Sequence, residues 1–438
     1  MRHDYLRALL DTLREGLRGG QVLILDYHGE RSDFVRFTGA RIRQAGHVRQ
    51  DQLTLRLVDG RRQAAETISL TGHLDGDRAR GRAALDALQP WLAELPDDPW
   101  LALPAPAASR HDGPAEMPDG RAALDALLRL GAGLDLVGVL ASGEVLRACL
   151  DSRGTDHWFR TASFHLDWSL HEAGGRAVKA ELAGARWDEA ALAARLADQR
   201  RQMERLRLPV QTPGPGRYRA WLAPAALYEL LELLAGGDLG IKALRTRQSA
   251  LQALYDGQAS LDPRVTLREA LDSGRVPPFS SLGHHTPAPV TLIRAGRWQD
   301  PLVGPRSAVE YGLPVNAPQE APQALEMAPG SLAEADVPAA LDTGLYLTNL
   351  WYCNWSDRPH ARITGMTRYA CLWVERGVVR GPLAPMRFDD TLYWLLGEDL
   401  EAVGSDAVLL PDPSTYEARA LRGLRLPGVL TGGLRLTL

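Results

Sequence analysis

Arg217-Tyr-Arg-Ala-Trp-Leu-Ala-Pro224, running into Leu227-Tyr-Glu-Leu-Leu-Glu-Leu-Leu-Ala-Gly-Gly-Asp238, is the stretch on which the reading of this chain turns. It reads as a strand, a proline placed at the first turn of a helix, and then an amphipathic helix. Proline suits that first turn because its missing N–H would have had no partner there. Immediately upstream, Pro209-Val-Gln-Thr-Pro-Gly-Pro-Gly216 is the clearest domain boundary in the sequence. It separates residues 1–208 from residues 217–438.

A chain of 438 residues is long enough for two such units, each with its own core. Its 24% charged and 45% hydrophobic residues are ordinary for a globular protein, and no apolar run approaches the ~20 residues of a membrane helix. Met1-Arg-His-Asp-Tyr-Leu6 lacks the layout of a signal peptide, so a cytoplasmic location is expected. Cys149, Cys353 and Cys371 are scattered, which indicates neither a disulfide framework nor a cysteine zinc site. The net charge of −4 does not favour nucleic-acid binding. Arg200, Arg201, Arg205 and Arg207 share their helix with Asp188, Glu189, Asp198 and Glu204, which reads as a solvated surface.

In the first unit, Tyr5, Leu6, Leu9, Leu10, Leu13 and Leu17 fall at helical spacing before Gly19-Gly20. Short β segments follow at 21–26, 33–38, 41–44, 52–58 and 61–70, with a hairpin turn at Asp59-Gly60. Helices are expected at 79–94 and 119–130, separated by a polar Pro/Ala-rich linker over 96–118. Residues 134–140 and 145–151 read as a strand pair turned at Ser142-Gly143. Residues 158–170 and 176–182 read as a hairpin across Gly174-Gly175, ahead of a long helix over 188–206. The second unit holds a Pro/Gly-rich middle from 276 to 329 and a β-rich C-terminus.

Several histidines and cysteines invite a chemical reading. His171-Glu172 begins like a zinc-protease motif, but Gly175 and Arg176 stand where a second imidazole is needed, so it reads as a turn. His284-His285 lies in a Gly/Pro loop and reads as a surface loop, with a contact to a partner's active site as the alternative. Cys371 alternates with Tyr369 and Trp373 and reads as core. Cys353 sits among Trp351, Tyr352 and Trp355, and a thiol enzyme would need a base such as His360 within reach.

Taken with its surroundings, the opening stretch resembles the strand and helix that carry the zinc site in the TldD/TldE (PmbA) metallopeptidase family. Further anchors keep the family's order: Ser32-Asp-Phe-Val-Arg-Phe-Thr-Gly-Ala-Arg-Ile-Arg-Gln44, Leu345-Tyr-Leu-Thr-Asn-Leu350 after Asp342-Thr-Gly344, Met366-Thr-Arg-Tyr-Ala-Cys-Leu-Trp-Val-Glu-Arg-Gly377, Val403-Gly-Ser-Asp406 and Leu430-Thr-Gly-Gly433. The catalytic, TldD-type helix reads His-Glu-x-x-x-His. On this sequence the first His falls on Glu232, the Glu on Leu233 and the second His on Gly237. A water-activating zinc site needs lone-pair donors and a general base, and neither Leu233 nor Gly237 provides one. Ser405 and Asp406 stand in the segment that supplies the TldD-type zinc-binding Cys. Phe279-Ser-Ser-Leu-Gly283 replaces the family's acidic turn.

The resemblance implies an α+β protein. An N-terminal α/β domain has helices on a mainly antiparallel sheet, and a C-terminal β-rich, barrel-like domain has a few helices. It implies a TldE-type, non-catalytic subunit with no metal of its own, paired as a heterodimer with a zinc-bearing TldD-type chain. The pair would cleave unfolded or leader peptides in a shared chamber. Tyr346, Thr348, Asn349, Trp351 and Arg362 are the candidate peptide-binding residues, on a strand to which an extended peptide would add. Core or dimer packing is the equal alternative for the aromatics. A peptide-binding homodimer without protease activity and a thiol-dependent hydrolase are the rival functions. The family's link to DNA gyrase suggests a nucleic-acid role that the acidic balance does not support.

Overall fold

A computed structural model gives the fold and describes residues 3–114 and 119–437. The N-terminal half is built on one sheet. Its strands are β1 (Val22–Thr38), β2 (Arg41–Asp59), β3 (Arg62–Ser69), β4 (Ala108–Asp112), β5 (Asp135–Asp151), β6 (Asp156–Glu172) and β7 (Arg176–Gly184). The order is β3-β2-β1-β5-β6, with β4 and β7 dividing the outer edge of β6 between them. Every pairing is antiparallel except β4 with β6.

Strand side chains alternate between two faces, and the two faces of this sheet have different partners. Leu23, Leu25, Leu53, Leu55, Leu146 and Leu150 point toward α1 (His3–Arg14) and α2 (Leu74–Glu94). Further along the same face, Leu136, Leu140, Leu166 and Trp168 meet α3 (Gly120–Leu130) and α4 (Glu189–Arg205). Asp119 and Asp188 cap those last two helices by accepting from backbone N–H groups of the first turn. On the opposite face, Ile24, Val58, Cys149 and Phe159 pack against Phe279, Leu282 and Leu421 of the C-terminal half.

The C-terminal strands are β8 (Gly216–Leu222), β9 (Leu267–Glu269), β10 (Val290–Arg294), β11 (Arg297–Trp298), β12 (Leu325–Met327), β13 (Gly344–Leu347) and β14 (Asn349–Asp357). They continue with β15 (Arg362–Arg368), β16 (Leu372–Glu375), β17 (Val378–Pro382), β18 (Arg387–Thr391), β19 (Leu400–Val403), β20 (Val408–Pro411), β21 (Gly423–Leu426) and β22 (Val429–Leu436). One sheet runs β11-β10-β9-β12-β21-β20 and the other β14-β15-β18-β22-β8-β13-β16-β17, with β19 beside β22. Because β14 begins one residue after β13 yet lies at the far end of its sheet, that sheet curls into a half-barrel. The helices here are short: α5 (Pro224–Leu231), α6 (Ile241–Arg245), α7 (Gln252–Tyr255), α8 (Pro305–Tyr311) and α9 (Val337–Leu341). Leu227, Leu230 and Leu231 of α5 are buried in a core shared with side chains of both C-terminal sheets. The α+β architecture, helices on an antiparallel sheet followed by a β-rich half-barrel, is the one the sequence led us to expect.

Several local expectations are corrected. Segments 21–26 and 33–38 are one long strand, as are 134–140 and 145–151, so there is no turn at Ser142-Gly143. Gly143 is required for another reason: a Cβ there would lie 2.0 Å from the carbonyl oxygen of Arg31 on the neighbouring strand. The linker over 96–118 contains β4, and its residues 115–118 lie outside the described residues. The boundary segment is docked rather than free, with Gln211 exchanging backbone hydrogen bonds with Pro382 and Ala384. The helix expected to open on Pro224 and run toward Asp238 does start there but is α-helical only to Leu231. It then tightens to a 3-10 turn over Glu232–Gly236. Among the described residues, no helix is long and apolar enough to cross a membrane.

Candidate functional site

α5 faces the N-terminal sheet across a cleft, and the cleft is where the unusual polar groups collect. On the sheet side, β6 and β7 place Asp167 opposite Glu181 and His165 opposite Ala183. Lys179 lies 3.1 Å from Asp167 and 3.7 Å from Glu181, and His165 lies 3.4 Å from Glu181. Burial raises the Asp167 carboxyl; it would raise Glu181 too, but the His165 contact and the Lys179 charge hold that group below its ordinary range. Lys179 is pulled up by the same two carboxylates against its own burial.

On the helix side, Glu229 and Glu232 are three residues apart and share one face. Burial raises both carboxyls. Glu229 makes no hydrogen bond or ion pair among the described residues; the charges that act on it are Lys179, Glu181 and Glu232. Glu232 is held by Arg422, whose Nη2 donates to Glu232 Oε1 at 2.5 Å and to Asp412 Oδ2 at 2.8 Å. The other Glu232 oxygen is buried without a hydrogen-bond partner.

The positions matched to metal ligands do not make a zinc donor set. Glu232 is engaged by a guanidinium, and Leu233 packs on the apolar core. Gly237 takes the left-handed conformation, φ 109°, that ends the 3-10 turn. Ser405 donates to its neighbour Asp406 at 2.9 Å, and its own N–H bonds Leu332. No group of three or more His, Cys, Asp or Glu side chains suited to a metal occurs among the described residues. At these positions an arginine-bound carboxylate, an apolar side chain and a glycine do not suit the family's zinc.

The five residues expected to bind peptide are not gathered in one place. Tyr346 lies on β13, which is paired on both sides by β8 and β16, and its ring packs between α4 and the half-barrel. An interior strand has no free edge, so the edge open to an added strand is β14 and not β13. Thr348 joins the two strands. Asn349 begins β14 and accepts from the Cys371 thiol at 3.3 Å. Trp351 is 48% exposed on that edge, under the Arg368 guanidinium at 3.8 Å. Arg362 is ion-paired with Asp389 and lines a separate groove with His360 and Trp394.

Elsewhere, His284 and His285 are not on a surface loop as expected. The turn carrying Phe279 and Gly283 is pressed onto the N-terminal sheet, where the buried His157 ring stacks on Phe279 at 5.2 Å and on His285 at 5.1 Å. His157 Nε2 donates to the Gly283 carbonyl at 3.1 Å and Nδ1 meets Ser109 at 2.8 Å. Burial lowers all three imidazoles, His284 to about 4. His360 bonds Asp357 at 2.8 Å on an exposed turn. Cys371 is core, and burial pushes the Cys353 thiol up to about 12.

Sequence reasoning missed the cleft groups Lys179, Glu181, Asp412, Arg419 and Arg422. A signal existed on β6, where Ser163, His165, Asp167 and Ser169 alternate with Ala162, Phe164, Leu166 and Trp168. That pattern gives one apolar and one polar face. The arginines of the irregular segment after Pro411 carry no such period.

Residues 215–437 match the PmbA/TldA metallopeptidase C-terminal domain. No curated protein matches the chain. Among solved structures, the chain is similar to TldE from Thermococcus kodakarensis, at 14% identity and a TM-score of 0.78, with 99% of this chain and 100% of that one covered. It is also similar to a candidate DNA gyrase modulator of Thermotoga maritima, at 12% identity and a TM-score of 0.75 with 99% of each chain covered. A further candidate gyrase modulator, from Bacteroides thetaiotaomicron, aligns at 15% identity and a TM-score of 0.71 over 99% of this chain and 98% of that one. At such identities these structures speak for the fold. The domain match spans just over half of the 438 residues, and on that ground the chain belongs to the PmbA/TldD metallopeptidase family.

Proposed function

We propose that this chain is a TldE-type, non-catalytic subunit that pairs with a zinc-bearing TldD-type chain and helps to hold an extended peptide for cleavage. The observation that carries the reading is the Glu232–Arg422 pair. At the first ligand position a carboxylate is neutralised by a tethered cation, while the next two positions supply an apolar side chain and none at all. Zinc, activated water and general base would then come from the partner. The polar cavity over the N-terminal sheet, lined by His165, Asp167 and Lys179 and bordered by Pro413 and Thr415, supports a role in holding substrate, and the exposed edge of β14 supports one in pairing with a peptide or partner. Loss of a nucleophilic thiolate at Cys353 weighs against a thiol hydrolase.

Metal analysis by mass spectrometry, on the chain alone and after co-expression with a TldD-type chain from the same genome, tests the proposal. The expected result is no stoichiometric zinc alone, and zinc with peptidase activity in a stable mixed complex. One equivalent of zinc bound by the isolated chain overturns it. A chain that binds peptide as a homodimer, without a zinc-bearing partner, supports instead the alternative of a peptide-binding homodimer without protease activity.

A further inference from the structure

Residues 411–422 form an irregular strap that crosses the cleft face of the N-terminal sheet, and two arginines pin it. Arg422 ties its base to Glu232 on the 3-10 turn after α5. Arg419, only 6% exposed, inserts over the sheet: its guanidinium donates to the Ser163 carbonyl at 2.8 Å and the Gly143 carbonyl at 2.7 Å, and its N–H to Glu30 at 3.0 Å. Between the pins the strap has no regular structure, and Tyr416 is 91% exposed. The strap divides the cleft into a polar cavity of about 660 Å³, beside Lys179 and Asp167, and a second of about 470 Å³. Pro413, Thr415, Ala141 and His165 border both.

The second cavity has a different character. Its sheet side is shortened to Ala141 and Ala183 in the row that carries His165, and the facing side is Leu409 of β20 with Pro411, Pro413 and Leu421 of the strap. Its volume falls in the ~300–1,000 Å³ range of ligand pockets, which are typically apolar with a few placed polar groups. One such group is Arg419, which is buried at the rim with its Nε unpartnered and its guanidinium bonded only to neutral groups. Glu30 Oε1, bordering the first cavity, and Ser32 Oγ, on the same face of the sheet beside Gly143, are also buried and unpartnered. A closed strap that strands three polar atoms is poorly satisfied, and a chain bringing its own carbonyl and amide groups would satisfy them as the strap shifts.

We propose that this cavity is a subsite for one bulky aliphatic or aromatic side chain of an extended peptide, with the strap as its cover and Arg419 as the donor to the peptide backbone. The inference rests on the peptide-holding reading above and narrows the substrate to sequences with an apolar residue at one position. Because side chains of an extended chain alternate between faces, the residue two positions along would face the cavity lined by Lys179 and Asp167.

The test is fluorescence anisotropy on the purified full chain with a labelled Ala/Ser decapeptide carrying one leucine, against the same peptide with serine there. The leucine peptide is expected to bind at least about 10-fold more tightly, a discrimination one apolar side chain in a pocket supports. Ala183→Trp, on the edge strand β7, is expected to fill the cavity and remove that preference, so that the leucine and serine peptides bind alike. Ala183→Ile serves if the tryptophan variant does not fold. Equal affinity for the two peptides, an unaltered preference in the filled variant, or no binding of either peptide overturns the subsite. None of these touches the zinc-dependent activity of the mixed complex, which stands or falls by metal analysis.

Discussion

Arg422 reaches from the C-terminal strap to Glu232 on the turn after α5 and donates to its Oε1 at 2.5 Å, with Asp412 on the same nitrogen at 2.8 Å. Two carboxylates that would repel each other are thus joined by one guanidinium. Removing it in Arg422→Ala leaves both acids without a counter-charge in a half-buried site. A loss of about 1–3 kcal/mol is expected, the cost of stranding a hydrogen-bonded buried group. Urea denaturation reads it, and Glu232→Gln, which keeps an acceptor for Arg422, should cost less. Equal losses in the two variants would mean that packing rather than charge sets the value.

Cys353 gives a chemical prediction. With burial holding its thiol up at about 12, the thiolate is scarce at neutral pH. Alkylation by iodoacetamide at pH 7.5 should therefore run at least about 100-fold slower than for a free cysteine. Cys353→Ser should leave the peptidase activity of a mixed complex unchanged. Rapid alkylation of Cys353 with matching loss of hydrolysis would restore the thiol-enzyme alternative.

Two buried groups make stability depend on pH in opposite directions. Glu269 is 1% exposed on β9; burial raises it to about 7, against two backbone N–H groups that bond its Oε1. Its ionised form costs stability above that value, and the cost fades as pH falls through 7 toward the unfolded carboxyl's 4.5. His284 runs the other way. It is lowered from 6.5 to about 4, first by burial and then by the Arg153 charge, so stability is lost as pH falls from 6.5 to 4. Each effect is worth roughly 2–3 kcal/mol over its range. Between pH 4.5 and 6.5 the two effects run in opposite directions and nearly cancel, so urea denaturation across pH should give a shallow plateau centred at about pH 5.5, with stability lost on either side. Glu269→Gln should stabilise at pH 8 and do little at pH 5, and His284→Asn should flatten the acid limb. A pH profile that neither variant alters would show that these groups do not govern it.

How much was legible in the sequence follows from which signals are local. Asp59-Gly60 and Gly174-Gly175 mark true hairpins because turn chemistry is written in adjacent residues. Ser142-Gly143 misleads: that glycine is needed for strand contact across the sheet, and close approach leaves the same letter as a turn. The helix start at Pro224 was readable, and its early tightening after Leu231 was not, since Leu234 keeps helical spacing through a 3-10 turn. At the candidate site, Glu232 was found because it replaces a ligand in a quoted motif. Arg422 was not, because it is 190 residues away and meets Glu232 only through the fold. The burial of His284 and His285 against His157 is hidden in the same way.

Trp351 separates a binding role from a packing role. It alternates on β14 with Leu350, which is 2% exposed and belongs to the shared core, whereas Trp351 faces out under Arg368. Leu350→Ala should cost about 2–5 kcal/mol, as for other buried leucines. Trp351→Ala should cost no more than about 1 kcal/mol, the worth of an exposed cation–π contact. If the β14 edge receives a peptide or a partner subunit, the same substitution should weaken that association by about 10-fold or more, as for a tryptophan at the centre of an interface. Urea denaturation and sedimentation of the mixed complex read the two quantities separately. Loss of association with stability retained assigns the edge to binding. Loss of stability with association retained would make Trp351 a packing residue and shift the recognition role to the cleft beneath the strap.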